Sequence, residues 1–103
     1  MARFIFTASA SADQLAVLND LHAKAGLRTT VRFRSHFGSL FDRLADFPLS
    51  GPLRPALGPQ VRIGIVPPYI VIYAHSVRDD TVTLLRIVHG RREITKRLLP
   101  DDR

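Results

Sequence analysis

The chain contains no cysteine, and this absence removes two ways of stabilising a small protein. Neither a disulfide framework nor a thiolate metal site can form, so packing of apolar side chains must hold the fold together. With 103 residues, of which 46% are hydrophobic, the chain has enough material for one core. We therefore predict a single domain over residues 1–103, suited to a reducing cytoplasm.

Long apolar runs are also missing, so nothing in the sequence can cross a bilayer or serve as the core of a secretory signal. The opening residues, MARFIFTASA, contain only a short apolar stretch, and we expect them to begin a mature, cytoplasmic protein without membrane contact. A glycine-rich phosphate loop, a recognisable Ser/His/Asp set and a paired-carboxylate motif are absent too. These absences argue against a conventional hydrolase or nucleotide-binding enzyme.

Metal-ligand spacing is not found around the histidines. His22 and His36 have no ligating residue four positions further on, and His75 stands alone at the end of a predicted strand. We predict no metal site and no cofactor.

The chain is rich in arginine. Thirteen of its fifteen basic residues are Arg, and the formal net charge is +6. Guanidinium groups make planar, bidentate contacts with carboxylates and phosphates. The expected partner is therefore acidic, either a nucleic acid or an acidic protein segment.

The N-terminal half predicts a short strand followed by a helical hairpin. The strand is expected over residues 3–7. Ser11 and Gln14 have capping-box spacing, so the first helix is predicted over residues 12–25, with Gly26 as its left-handed C-terminal residue and a turn to residue 28. Its core-facing residues are expected to be Leu15, Leu18, His22 and Ala25. A second helix is predicted over residues 29–46, from the spacing of Phe33, Phe37, Leu40, Phe41 and Leu44.

The C-terminal half predicts a connector and an antiparallel meander. Residues 48–59 contain four prolines and two glycines, so neither a helix nor a strand can persist there. Strands are predicted over residues 60–66, 69–75 and 81–89, in one sheet with the first strand. A short helix over residues 91–99 is expected to dock on this sheet. The fold class is thus α+β.

The densest positive segment of the sequence is LLRIVHGRREITKR. Arg86 interrupts an apolar strand and needs an acceptor, which is either a partner molecule or an internal Asp. Arg91 and Arg92 follow Gly90 at a predicted helix N-terminus, where an anion would be attracted, although a solvated charge pair is the alternative. His89 is either a proton donor or acceptor or a structural residue. The members of the segment are Arg86, His89, Arg91, Arg92, Lys96 and Arg97, opposed by the single acidic residue Glu93.

Two tyrosines of the central strand are four residues apart, which is an even separation. Tyr69 and Tyr73 therefore share one face of that strand. Their rings are expected either to stack on nucleic-acid bases or to pack in the core.

Three stretches of the second half resemble the RelE/ParE superfamily of type II toxin–antitoxin toxins. RLADFPLSGPLRPALG is similar to its Leu-x-x-Phe-Pro-x-x-Gly connector, VRIGIVPPYIVIYAH to its Arg-bearing strand followed by Tyr-Ile-Val-Ile-Tyr, and VTLLRIVHGRREI to its closing strand with His-Gly-Arg-Arg. The motifs cover residues 41–99, and the hairpin matches by layout.

The resemblance implies a cognate antitoxin as partner. Its disordered acidic tail would fold on the toxin, in the groove beside the hairpin and the sheet, within a toxin–antitoxin hetero-oligomer. The antitoxin-binding residues expected from this resemblance are Phe33, Phe37, Phe41, Tyr69 and Tyr73.

Two activities occur in the superfamily. RelE-like members cleave messenger RNA on the ribosome, and ParE-like members bind DNA gyrase and stall it in a DNA-cleaving state. This chain ends in EITKRLLPDDR, without the Tyr or His that often completes a RelE-like site, so the resemblance favours a gyrase inhibitor that is not itself an enzyme. Its expected target-binding residues are Arg86, His89, Arg91, Arg92, Lys96 and Arg97.

Two other functions stay open at this point. An RNA-cleaving site would use Arg62, Arg86, His89 and Arg91. A plain nucleic-acid-binding module is suggested by charge alone, although the chain lacks a recognition helix with base-reading residues.

Overall fold

The computed structural model describes residues 1–100, in which one long helix packs on a four-stranded sheet. The sheet has the order β1-β4-β3-β2, in which β2, β3 and β4 form an antiparallel meander and β1 pairs with β4 in parallel. The predicted α+β fold is therefore confirmed. The elements are β1 (Arg3–Phe6), α1 (Ala8–Asp46), β2 (Val61–Val66), β3 (Tyr69–Ser76) and β4 (Thr81–His89).

Helix α1 folds back on itself at Gly26, whose φ of 86° and ψ of 177° interrupt the helical backbone. A straight helix of 39 residues would extend roughly 58 Å, whereas the longest dimension of the molecule is 41 Å. The first arm (residues 8–25) starts beside the end of β1. The second arm (residues 27–46) returns to the start of β1, where the Ala2 N–H donates to the Ala45 carbonyl at 2.8 Å. The predicted hairpin is present, with its bend confined to Gly26.

The start of the first arm differs from the prediction. Thr7 is the N-cap and its hydroxyl accepts from the Ala10 N–H at 3.0 Å, so the expected capping box at Ser11 was wrong. The helix begins four residues earlier because Thr7 joins it directly to the sheet. The core-facing stripe shifts accordingly: Ala10 is buried, Val17 and Leu21 pack on the core, and Leu15 is 62% exposed.

Both faces of the central strands are covered. On the helix side, Phe37, Leu40 and Leu44 of the second arm are buried against the sheet, as their spacing predicted. On the other side, the cover comes from the connector (residues 48–59) and from the C-terminal segment (residues 90–100). Its buried apolar residues are Leu57, Leu98 and Leu99, which pack on Val61, Ile63, Ile72, Leu85 and Val88.

One tyrosine and one arginine of the sheet hold the start of the connector. The Tyr73 hydroxyl donates to the Pro48 carbonyl at 2.8 Å and accepts from the Gly51 N–H at 3.0 Å. Arg62 Nη1 donates to the carbonyls of Leu49 and Gly51. A Cβ at Gly51 would lie 2.2 Å from the Ile63 carbonyl oxygen, so the close approach of these two backbones requires glycine. Burial raises the pKa of Tyr73.

The predicted C-terminal helix over residues 91–99 is wrong: only a 3₁₀ turn, Lys96–Leu98, is present. The Arg92 N–H donates to the His89 carbonyl, which closes a turn, and Thr95 has an extended backbone with φ −131° and ψ 168°. The segment buries Leu98 and Leu99 by docking on the sheet, and this tertiary contact outweighs its helical pattern. Within residues 1–100, no helix has the length and apolarity needed to span a membrane.

Candidate partner-binding surfaces

A groove runs between the second arm of α1 and the edge strand β2. The connector covers the outer edge of β2 as far as Ile63, whose N–H donates to the Pro52 carbonyl at 3.2 Å. The alternation of an antiparallel ladder turns the backbone N–H and C=O of Ile65 to the same outer side. Neither group has a hydrogen-bond partner within residues 1–100, and Ile65 is 56% exposed. This stretch of β2 therefore offers an open edge position to an extended chain.

The residues at the bottom of this groove are apolar, and a basic residue lies at its border. Leu40 and Leu44 form the floor with Gly64, where an added Cβ would lie 3.0 Å from a Leu40 methyl carbon. Arg43 borders both halves of the groove. Such a groove suits an extended segment that carries apolar and acidic side chains. The half nearer the end of β2 has a volume of about 240 Å³ and is lined by His36, Ser39, Leu40, Arg43, Ile65, Val66 and Pro67.

The C-terminal segment forms a second, basic surface. Arg91, Arg92, Lys96 and Arg97 are exposed, and none of them makes an ion pair within residues 1–100. Because the expected helix N-terminus is absent, any attraction for an anion comes from these cationic side chains alone. A cavity of about 610 Å³ lies here, lined by Arg92, Glu93, Thr95, Arg97 and Leu98.

The two surfaces meet at one end of the sheet. Gly90 begins the C-terminal segment, and its N–H donates to the Pro68 carbonyl at 2.8 Å, in the turn that follows β2. The groove ends at Pro67, the preceding residue. A chain that leaves the groove over this turn would thus arrive at Arg91.

His89 lies at this junction in a structural setting. Its ring packs edge-on against Tyr69, with a centroid distance of 5.7 Å. Its Nδ1 accepts the Arg91 N–H at 3.1 Å, which requires that nitrogen to be unprotonated. Within residues 1–100 no carboxylate hydrogen-bonds to the ring, so the geometry positions the backbone of Arg91 and leaves His89 without a group to orient it as a catalyst.

Arg86 is hydrogen-bonded to an internal Asp, which is one of the two kinds of acceptor that the sequence allowed. Its Nε and Nη2 donate to the Asp13 carboxylate at 2.6 and 3.0 Å, and its Nη1 donates to the Leu98 carbonyl at 2.9 Å. The Asp13 carboxylate raises the pKa of Arg86. The other cations of the predicted target-binding set are exposed, so Arg86 stands apart from them.

The aromatic residues expected to bind an antitoxin lie in the helix-side core. Phe37 and Tyr73 are fully buried, and Tyr69 is 8% exposed and contacts Phe33 edge-on at 5.8 Å. Buried side chains cannot contribute contact area to a second chain, so the expectation does not fit Phe37, Tyr69 and Tyr73. Phe33 and Phe41 keep partial exposure. Core packing, the alternative for the two tyrosines, is what the structure shows.

The four residues of the alternative RNA-cleaving site do not come together. Arg62 is paired with Tyr73 and Arg86 with Ile72, so these two arginines project from opposite faces of the sheet. Both are also engaged internally, Arg62 by connector carbonyls and Arg86 by Asp13. The expected grouping with His89 is therefore wrong.

Sequence reasoning missed Asp13 and Ile65. Asp13 is 73 residues from Arg86, and no local pattern links them. Ile65 looks like an ordinary strand residue, and its importance depends on β2 lying at the sheet edge. Arg43 belongs to the groove only because β2 lies beside it, and the sequence does not show which strand neighbours the second arm.

Two solved structures share this fold. A chain of the chromosomal ParDE toxin–antitoxin system from P. aeruginosa matches with a TM-score of 0.70 and 20% identity, covering 86% of this chain and 96% of that one. A chain of the RelBE2 toxin–antitoxin complex from Mycobacterium tuberculosis matches with a TM-score of 0.59 and 24% identity, covering 85% and 90%.

Sequence comparison defines the family more closely. The model of the ParE toxin of the type II toxin–antitoxin system parDE matches residues 4–94. Toxin ParE3 of Caulobacter vibrioides is 33% identical over 98 residues, which are 95% of this chain and 96% of that toxin. The chain belongs to the ParE toxin family of type II toxin–antitoxin systems. The resemblance found in its second half is thereby confirmed.

Proposed function

We propose that this chain inhibits DNA gyrase in the bacterial cytoplasm and is neutralised by a cognate antitoxin in a hetero-oligomer. The observation that carries the proposal is the exposed cationic surface of Arg91, Arg92, Lys96 and Arg97 on a ParE-family fold. Cations that make no ion pair within residues 1–100 are available to an acidic surface of another macromolecule.

The local chemistry supports binding over bond cleavage. Cutting RNA at a 2′-hydroxyl requires a base, an acid and a charge stabiliser around one phosphate. His89 uses Nδ1 to hold a backbone N–H, and the carboxylate of Asp13 is occupied by Arg86. A toxin that stalls an enzyme by binding to it needs only a complementary surface.

The groove beside β2 supports the antitoxin part of the proposal. An extended antitoxin segment would pair with the backbone groups of Ile65, which have no partner within residues 1–100, and would place apolar side chains against the exposed Ile65 and Pro67. An acidic side chain there would meet Arg43. In this proposal the antitoxin binds the groove and not the buried aromatic residues that the sequence suggested.

Neutralisation would follow from the meeting of the two surfaces. An antitoxin segment that continues past Pro67 reaches the start of the C-terminal segment, where Gly90 is bonded to Pro68. A segment at that point would stand in front of Arg91 and Arg92 and block the access of gyrase to them sterically, while the affinity of the antitoxin comes from the groove.

The decisive experiment compares the two candidate targets side by side. Purified toxin is incubated with DNA gyrase and supercoiled plasmid, and linear DNA is measured after protein denaturation; a parallel reaction contains programmed ribosomes and messenger RNA. We expect cleaved DNA with gyrase and intact message on the ribosome. Message cleavage at the ribosomal A site, with no effect on gyrase, would overturn the proposal.

A further inference from the structure

Strand β4 continues beyond the end of its neighbour β1. β1 pairs only with residues 81–84, so the edge of β4 from residue 85 onward needs another cover. The start of α1 provides it: the Thr7 N–H donates to the Leu84 carbonyl and the Thr7 hydroxyl to the Leu85 carbonyl, both at 3.0 Å. The helix therefore begins at the point where the sheet is incomplete.

A β-bulge in β4 directs Arg86 at this helix. Ile72 lies opposite Arg86 and Tyr73 opposite Leu84, which leaves Leu85 as the extra residue. Bulges re-aim the side chains that follow them. Beyond the bulge, the Ile87 N–H donates to the Asp13 carboxylate at 2.9 Å, so Asp13 caps the same stretch of edge that carries Arg86.

Asp13 and Arg86 form a bidentate pair with little exposure. The exposed fractions of their side chains are 16% and 19%. Asp13 accepts three hydrogen bonds, two from Arg86 and one from the Ile87 N–H. Such a pair has a defined geometry, because the planar guanidinium fits the carboxylate in one orientation. Asp13 therefore fixes the direction in which the remaining guanidinium nitrogen points.

That remaining nitrogen holds the C-terminal segment. Arg86 Nη1 donates to the Leu98 carbonyl at 2.9 Å. Leu98 directly follows the exposed Lys96 and Arg97 in the 3₁₀ turn. The segment has no strand pairing along residues 91–99, so it is attached to the sheet by this hydrogen bond, by the burial of Leu98 and Leu99 and by the packing of Ile94 on the same cluster.

We propose that Arg86 is a positioning residue, which, oriented by Asp13, fastens the C-terminal segment through the Leu98 carbonyl and so presents its cations to the target. We call this arrangement the Asp13–Arg86–Leu98 latch. The effect of the latch on target binding rests on the proposed gyrase-binding role, whereas the attachment of the C-terminal segment by the latch does not. Arg86 is then not a target-contacting residue, and it acts by positioning the segment that carries Arg91, Arg92, Lys96 and Arg97.

Limited trypsin digestion tests the latch directly, because Lys96 and Arg97 are themselves cleavage sites. Arg86→Lys keeps the charge and the number of trypsin sites but loses the fork to Asp13 and the reach to Leu98. We expect cleavage after Lys96 and Arg97 to accelerate about 10- to 100-fold, the factor expected for losing a charged hydrogen bond that closes a local opening.

Two further variants separate the latch from general stability. Asp13→Asn does not touch Leu98 but releases the orientation of Arg86, so it should accelerate the same cleavages. Val71→Ala weakens the fully buried helix-side core and leaves the latch intact. It should therefore not accelerate cleavage after Lys96 and Arg97 more than cleavage at other sites. Wild-type cleavage rates in Asp13→Asn, or an equal acceleration in Val71→Ala, would overturn the latch.

Gyrase and antitoxin binding give the functional readout. Arg86→Lys should raise the toxin concentration needed for half-maximal gyrase inhibition about tenfold or more, by the same loss of one charged hydrogen bond, while antitoxin affinity in the groove changes little. If the wild-type toxin does not affect gyrase, the proposed function fails and the proteolysis still decides the latch. Unchanged inhibition with accelerated proteolysis would refute the presentation of the cations.

Discussion

The groove beside β2 and the basic C-terminal segment lie at one end of the same sheet, yet they are built in different ways. The groove takes its shape from a helix arm and a strand, whose backbones are fixed by many hydrogen bonds. The C-terminal segment has one 3₁₀ turn and is attached by the Gly90 N–H, by Arg86 and by three apolar residues, Ile94, Leu98 and Leu99. We conclude that the groove is preformed, whereas the position of the basic surface depends on a few side chains that single substitutions can remove.

The largest effect is expected from removing charge on the basic surface. Arg91→Ala with Arg92→Ala should reduce gyrase inhibition and toxicity by roughly 100-fold or more, since two charge-assisted contacts are lost. Antitoxin binding should remain largely intact. The matched control is Arg28→Ala with Arg32→Ala, which removes two exposed arginines from the second arm of α1. Full toxicity of the first double variant would remove the surface that we favour.

The next effect concerns the groove. Ile65→Pro removes an N–H that points away from β3, so the sheet ladder persists while the open edge loses its donor. Antitoxin affinity, measured by titration calorimetry, should fall about tenfold through the lost hydrogen bond, and gyrase inhibition should stay unchanged. Ile65→Val keeps the donor and should bind like the wild type. Equal affinities of the two variants would show that the antitoxin does not pair with this edge.

Loosening the connector should affect the groove and spare the basic surface. Tyr73→Phe leaves the Gly51 N–H and the Pro48 carbonyl without their partner, which should cost about 1–3 kcal/mol of unfolding free energy. Urea denaturation measures this loss. Trypsin cleavage after Lys96 and Arg97 should then rise no more than at other sites. A selective rise there would contradict the independence of the two surfaces.

A smaller, pH-dependent effect arises from the same hydroxyl. Burial raises the pKa of Tyr73, so the folded state holds this proton more tightly than the unfolded state. The stabilisation is complete below the unfolded value of about 10 and is lost as pH rises toward the folded value. Urea midpoints should therefore fall above that pH in the wild type, and fall less steeply in Tyr73→Phe. Identical pH profiles would contradict the assignment.

The smallest effect is expected from an exposed ion pair that belongs to neither surface. Lys24 and Asp20 form an exposed i,i+4 ion pair at 3.1 Å on the first arm of α1. Such pairs contribute about 0.3–0.5 kcal/mol. Lys24→Ala should therefore leave the thermal midpoint, antitoxin binding and gyrase inhibition nearly unchanged. A clear loss of either binding activity would reveal a third surface on the hairpin.

The sequence predicted those parts of the fold that local periodicity governs. The spacing of Phe37, Leu40 and Leu44 identified the buried face of the second arm, and the alternating strands gave the meander. The first arm was less well predicted, because its start depends on Thr7 bonding to β4. The C-terminal helix failed for a similar reason, since docking of Leu98 and Leu99 on the sheet favoured a single turn.

The candidate surfaces were predicted only in part. The exposed cations after Gly90 follow from composition and chain position, and the family resemblance gave them a role. The fate of Arg86 did not follow, because its acceptor lies at the opposite end of the chain. The groove was also hidden, since an open edge exists only once strand order is known.

By itself, the sequence determined the α+β class, the family and the presence of an arginine-rich C-terminal segment, because periodicity, motifs and charge are written in consecutive residues. Only the tertiary structure decided which arginine is bound internally, which arginines make no ion pair within residues 1–100, and where β2 leaves an open edge. Those decisions depend on pairs such as Asp13 and Arg86, which the fold brings to within 2.6 Å across 73 residues.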